Sequence, residues 1–193
     1  NMALSKIDIE NMITGEVNVA NGGTGLSSGT SGQFLKFTGS TTLASAADSG
    51  KVLQVVQATF STSVDLTGTS FTNITSGGST LEAAITPAST SNKVFVEYTI
   101  QASMDNNRGY KSQIVRAISG GASTNILTQN DQKATYGDGD NHRQMSTMQF
   151  LDSPNTTSAC TYTIQVGMDG ANAVTFCSTT NTPCVITLME IAG

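Results

Sequence analysis

KVFVEYTIQA, residues 93–102, alternates apolar and polar side chains, so that Val94, Val96, Tyr98 and Ile100 share one face. A period of two marks a strand with one face buried and the other toward water. TYTIQVGM, residues 161–168, repeats the pattern with Tyr162, Ile164 and Val166. Working outward, strands are expected at 51–60, 64–74, 81–86, 110–118, 124–130, 143–151, 172–178 and 184–191, with a helix as the alternative for 81–86. Turn formers separate them: GGS at 77–79, TPASTSN at 86–92, SGG at 119–121, GDGDN at 137–141 and DSPNTTS at 152–158. Short strands at this spacing predict an all-β fold, a jelly-roll-like β-sandwich over residues 49–193, long enough to bury a core of its own.

Residues 1–48 differ in texture. Ile7/Ile9 and Val17/Val19 alternate with polar neighbours, and Gly15 and the cluster Gly22-Gly23-Thr24-Gly25 interrupt them. The stretch holds too few apolar residues to close a core, so it either stays flexible or borrows a core from neighbouring chains. An internal echo favours order. Ser31-Gly-Gln-Phe-Leu-Lys-Phe37 and Ser49-Gly-Lys-Val-Leu-Gln-Val55 share one pattern, 18 residues apart. A plain linker has no reason to repeat an amphipathic strand.

Composition agrees and narrows the function. The 193 residues include 22 Ser, 29 Thr and 19 Gly, but only 12% are charged, which suits strands and tight turns better than disorder. Nine scattered Lys and Arg and a net charge of −5 argue against nucleic acid as partner. No run of 18 apolar residues is present, and no basic region followed by an apolar core opens the chain. Folding in a reducing cytoplasm is therefore expected to leave Cys160, Cys177 and Cys184 as thiols, although Cys177 and Cys184 flank a turn and could face each other across a hairpin.

Tests for chemistry return little. The glycine cluster is followed by Leu26-Ser27-Ser28, with neither the lysine nor the helix of a phosphate-binding loop. His142 is the single histidine, with no G-x-S-x-G nucleophile turn to accompany it. Asp138 and Asp140 lack the spacing and closing glutamate of a calcium loop. No catalytic residue, cofactor or metal is expected. Two segments combine an aromatic, an arginine and short polar side chains, as a polar or sugar ligand would need. One holds Asp105, Asn107, Arg108 and Tyr110; the other holds Tyr136, Asp138, Asp140, Asn141, His142 and Arg143. From the residues alone the first reading is that both are solvated loops rich in turn formers, with ligand-binding loops at one end of a sandwich as the second.

ITGEVNVANGGTG (13–25) resembles an element that recurs in bacteriophage tail fibre proteins, and GQFLKFTGSTTLA (32–44) resembles the hairpin that usually follows it. GKVLQVVQATF, FTNI, ITPASTSNKVFV, LDSPNTTSACTYTIQV and the terminal ITLMEIAG resemble, in that order, C-terminal modules of the same family. Asn18 stands where the family usually has proline. The resemblance implies a homotrimer with an intertwined N-terminal shaft over 1–48, attached through its N-terminus to other virion proteins. A β-sandwich head over 49–193 would touch a host-surface glycan or protein, and the chain would belong to the virion surface. A capsid decoration or head fibre docking through residues 1–20 is the alternative. A fibre-borne polysaccharide depolymerase comes third, because glycosidic cleavage needs two carboxylates flanking one groove and carboxylates are few.

Overall fold

The computed structural model describes residues 24, 29–31, 33–40, 42–46, 50–104, 108–129, 142–170, 173–177 and 182–193. All regular structure among them is β-strand. The chain divides into two compact units, Asn1–Ser49 and Gly50–Gly193.

In the first unit, β1 (Phe34–Gly39) and β2 (Thr42–Ala46) pair antiparallel with Phe34 opposite Ala46 and Phe37 opposite Leu43. Ser45 ties the hairpin to the preceding turn: its hydroxyl donates to Gln33 Oε1 at 2.6 Å and accepts from the Thr30 amide at 3.2 Å. Phe34, Leu35 and Phe37 are exposed. The readings at Ile7, Ile9, Val17, Val19, Gly22, Gly23 and Gly25 lie outside the described residues.

The described residues of the second unit form thirteen strands: β3 (Val52–Phe60), β4 (Val64–Leu66), β5 (Thr72–Asn73), β6 (Thr75–Ser76), β7 (Ser79–Thr80), β8 (Glu82–Ile85), β9 (Lys93–Met104), β10 (Tyr110–Ile118), β11 (Ser123–Gln129), β12 (His142–Asp152), β13 (Cys160–Met168), β14 (Val174–Phe176) and β15 (Cys184–Ile191). Eight of them form the frame. One sheet runs β3-β15-β9-β12 and the other β8-β13-β10-β11, with every neighbour antiparallel. Counted along these eight strands the orders are 1-8-3-6 and 2-7-4-5, the interlocked Greek keys of a jelly roll. β14 continues the line of β15 beside β9 and pairs outward with β4, while β5 continues the line of β8 beside β13.

Period-2 alternation places the core between the sheets. Val94, Val96, Tyr98 and Ile100 of β9, and Ile186 and Leu188 of β15, face Ile114 of β10 and Tyr162, Ile164 and Val166 of β13, all fully buried. Burial of each such side chain stabilises the fold by about 1.5–3 kcal/mol. Three tyrosines span the sheets, and each finds the partner that a buried hydroxyl requires. Tyr98 and Ser112 share a hydrogen bond at 2.7 Å, Tyr110 donates to Ser146 at 2.7 Å, and Tyr162 donates to Asp152 Oδ2 at 2.8 Å.

One expectation is corrected, and for 81–86 the strand stands over its helical alternative. The strand expected at 64–74 is broken: β4 belongs with β14 in one sheet, and β5 pairs β13 in the other. The crossover includes Gly68, whose φ of +96° an L side chain rarely adopts. The stretch 81–86 is not helical, because β8 pairs with β13 from Glu82 opposite Thr163 to Ile85 opposite Cys160. The Gly77-Gly78 breaker forms a two-residue hairpin turn between β6 and β7, both glycines at positive φ, as a type I′ turn demands.

Candidate functional site

The jelly-roll order gathers the loops at two ends. β9 ends at Met104 and β10 begins at Tyr110; β11 ends at Gln129 opposite Ser112, and β12 begins at His142 opposite Met104. Both segments singled out in the sequence therefore leave and re-enter the sandwich at the same end. Chains at one end of a rigid sandwich can present polar groups jointly to a ligand.

Hydrogen bonds stitch this end together. The Gly109 amide donates to Asp169 Oδ1 at 3.0 Å, and the Asp169 amide returns a bond to the Gly109 carbonyl at 3.1 Å. Arg108 Nη1 donates to the Ala173 carbonyl at 3.0 Å, and the Met168 amide donates to the Gly68 carbonyl at 2.9 Å. Lys111 Nζ stands 4.7 Å from the centre of the Phe71 ring, a cation–π contact. The turn entering β10, the turn leaving β13 and the β4–β5 crossover thus form one platform.

The singled-out residues fare differently. Arg143 is exposed at the start of β12, opposite Ser103. Arg108 is half-buried against Ala173. Tyr110 is corrected: it is 2% exposed, its ring meets Phe176 edge-on at 5.2 Å, and it belongs to the core. Its hydroxyl points to Ser146 because Tyr110, Ser112 and Ile114 form the inward face of β10. His142 is placed by its backbone only. Asp105, Asn107, Tyr136, Asp138, Asp140 and Asn141 lie outside the described residues. Among the described residues no three His, Cys, Asp or Glu side chains come together as metal ligands would.

The expectation of three thiols is also corrected. Cys177 and Cys184 are disulfide-bonded and fully buried, and Cys160 is a buried free thiol whose protonated form burial favours. The pairing follows from topology. β14 and β15 lie end to end along the same side of β9, and the Cys177 amide donates to the Gln101 carbonyl at 2.8 Å. The bond closes a short loop, a separation of 7 residues, beside Gln101 of β9. Replacing both cysteines by alanine is expected to cost about 2.5 kcal/mol from loop-closure entropy. Thermal melts of the two proteins check it, and coincident curves would remove the stabilising role.

Two carboxylates at the opposite end were passed over by the sequence reading. Asp152 accepts both bonds of Arg116 Nη1 (2.6 and 2.8 Å) as well as the Tyr162 hydroxyl. Glu190, 1% exposed, accepts from Asn92 Nδ2 at 2.5 Å, the Ala88 amide at 2.6 Å and Gln54 Nε2 at 2.6 Å. Burial opposes its charge, but these hydrogen bonds outweigh burial and hold its carboxyl below the ordinary value. A signal existed in both cases. Counting by two from Cys184 or from Ser146 puts Glu190 and Asp152 on inward faces.

No family model matches the chain, and no curated protein matches it. Among solved structures, it is similar to the infectious bursal disease virus Gt strain, with a TM-score of 0.42 and 7% identity over 82% of this chain and 42% of that one. It is also similar to T=1 particles derived from infectious bursal virus, with a TM-score of 0.44 and 8% identity over 82% of this chain and 40% of that one. The chain spans about two fifths of the length of the structures it matches.

Proposed function

We propose that this chain is a virion structural protein, a short homotrimeric tail fibre or fibre tip. The Gly50–Gly193 sandwich is its adhesive head, and the N-terminal segment joins it to other virion proteins. The head acts by binding a host-surface glycan or protein and carries out no covalent chemistry. The observation that supports this most is the loop end: antiparallel pairing sets the bases of two polar segments side by side, with His142 opposite Met104 and Gln129 opposite Ser112. Rigid support of polar loops lowers the entropic cost of binding. Disulfides persist on virion surfaces and rarely in the cytosol, which accords with work outside a cell. The ordered motifs from ITGEVNVANGGTG to ITLMEIAG point the same way.

Binding of the purified full chain to arrayed glycans and to whole bacterial cells tests the reading. Arg143→Glu, an exposed change on a strand, is expected to weaken binding at least tenfold, about 1.4 kcal/mol, because arginine is a common anchor at interfaces. Wild-type protein that binds neither cells nor glycans would overturn the adhesive reading. Labelled chain found on the capsid and not on the tail would move the reading to a head fibre.

A further inference from the structure

The outer face of the β3-β15-β9-β12 sheet carries an apolar row across all four strands. Leu151 of β12 stands opposite Phe95 of β9, Phe95 opposite Met189 of β15, and Met189 opposite Val55 of β3. Leu151 is 48% and Val55 58% exposed, while Phe95 and Met189 are half-buried between them. A bulge where Glu190 pairs Gln54 and Ile191 pairs Val52 leaves Leu53 as the extra residue. The bulge leaves Val52 and Leu53, side by side in sequence, both exposed, at 49% and 40%. None of these six side chains is charged. Of the adjoining rows, one holds Glu97, whose Oε2 accepts from Gln149 Nε2 at 2.6 Å, and the other holds the exposed Lys93 opposite Ile191.

Val52, Leu53 and Val55 are also the apolar positions of the second copy of the repeated heptapeptide. The corresponding positions of the first copy, Phe34, Leu35 and Phe37 in the other unit, are exposed as well. Exposed apolar side chains on one strand are ordinary, but the same three positions exposed in both copies of a repeat are a pattern. The six residues of the head offer roughly 400 Å² of apolar surface, against about 500 Å² for the apolar share of one side of a standard homo-oligomeric interface. β3 is moreover a nine-residue edge strand with neither proline nor charge to discourage association.

We propose that this face, centred on Val55 and Leu151, is covered by a second copy of this chain and is the head's self-association surface. The inference deepens the homotrimeric reading above and rests on it for the identity of the partner. Sedimentation velocity of the full chain tests it, comparing wild type with the double variant Val55→Asp, Leu151→Asp. The wild type is expected to sediment as an oligomer. The variant is expected to sediment as a folded monomer, or to need at least a hundredfold higher concentration to assemble. An oligomeric wild type with an equally oligomeric variant overturns this surface and leaves the self-assembling reading standing. A monomeric wild type overturns both. Should the double variant fail to fold, a single Val55→Cys protein decides. Its thiol is expected to resist a water-soluble maleimide in the assembly and to react once denaturant separates the chains. Reaction in the assembly at the rate of a Ser61→Cys control overturns the proposal.

Discussion

Between pH 10 and pH 12 the Gly50–Gly193 unit is expected to lose about 5 kcal/mol of its stability, with the appearance of tyrosinate. Burial pushes the Tyr98 hydroxyl up from 10.0 to about 12, only partly offset by its bond to Ser112. Burial also raises Tyr110, again partly offset, in its case by Ser146, and it raises Tyr162, where the bond to the Asp152 carboxylate adds to the rise. A phenol raised in the folded state favours folding fully below its unfolded value and loses that contribution as pH climbs toward its folded value. Above pH 10 the unfolded chain releases these protons while the folded chain keeps them, so stability falls with pH. For Tyr98 alone the shift corresponds to roughly 3 kcal/mol at about 1.4 kcal/mol per unit. With Tyr98 and Tyr162 titrating, the slope approaches about 3 kcal/mol per pH unit, against a total of about 5–15 kcal/mol for a domain of this kind, and Tyr110 acts in the same direction. Circular dichroism and tyrosinate absorbance followed together through this range check it. Ionisation of all four tyrosines at pH 10 with no loss of structure would mean that the three hydroxyls are not locked between the sheets. Tyr98→Phe is expected to reduce the slope while costing about 1 kcal/mol at neutral pH, because Ser112 loses its partner.

Replacing Glu190 by alanine is expected to destabilise the same unit by about 4 kcal/mol at neutral pH, which for this size lowers the melting temperature by roughly 12 °C. The carboxylate is the common acceptor for the turn between β8 and β9, through the Ala88 amide and Asn92, and for β3, through Gln54. Gln54 Nε2 also donates to the Thr86 carbonyl, and the Gly193 amide donates to Asn92 Oδ1, so the chain end is fastened to the same cluster. Alanine would leave buried donors without an acceptor. The pH dependence runs opposite to that of the tyrosines. A carboxyl held below its ordinary value contributes stability above its unfolded value and loses it as pH falls through the folded value. The gap between wild type and Glu190→Ala should therefore narrow well below pH 4.5. Denaturant titrations at neutral and acidic pH measure it. A gap independent of pH would show that Glu190 acts through packing and not through its charge.

The strands were legible because their signal is local. Val94 through Ile100 and Tyr162 through Val166 write a two-residue period that needs no knowledge of the partner strand, and both strands are found. Most turns were legible for the same reason, since Gly77-Gly78 carries its backbone conformation with it. Which sheet a segment joins is not a local property. Residues 64–74 look like one strand until the crossover assigns Val64–Leu66 to β14 and Thr72–Asn73 to β13.

The candidate site divides along the same line. The sequence by itself determined that two polar segments bracket strands, and antiparallel pairing then put their bases at one end. Only the tertiary structure decided that Tyr110 turns inward, because Ser112 between it and Ile114 disguises an inward face whose polar hydroxyl is satisfied from the opposite sheet. Only the tertiary structure decided that Cys177 and Cys184 meet, because their approach depends on β14 and β15 sharing one flank of β9. Period and turn chemistry are written along the chain. Burial of a hydroxyl, a carboxylate or a sulfur depends on what lies across from it, and distant segments supply that.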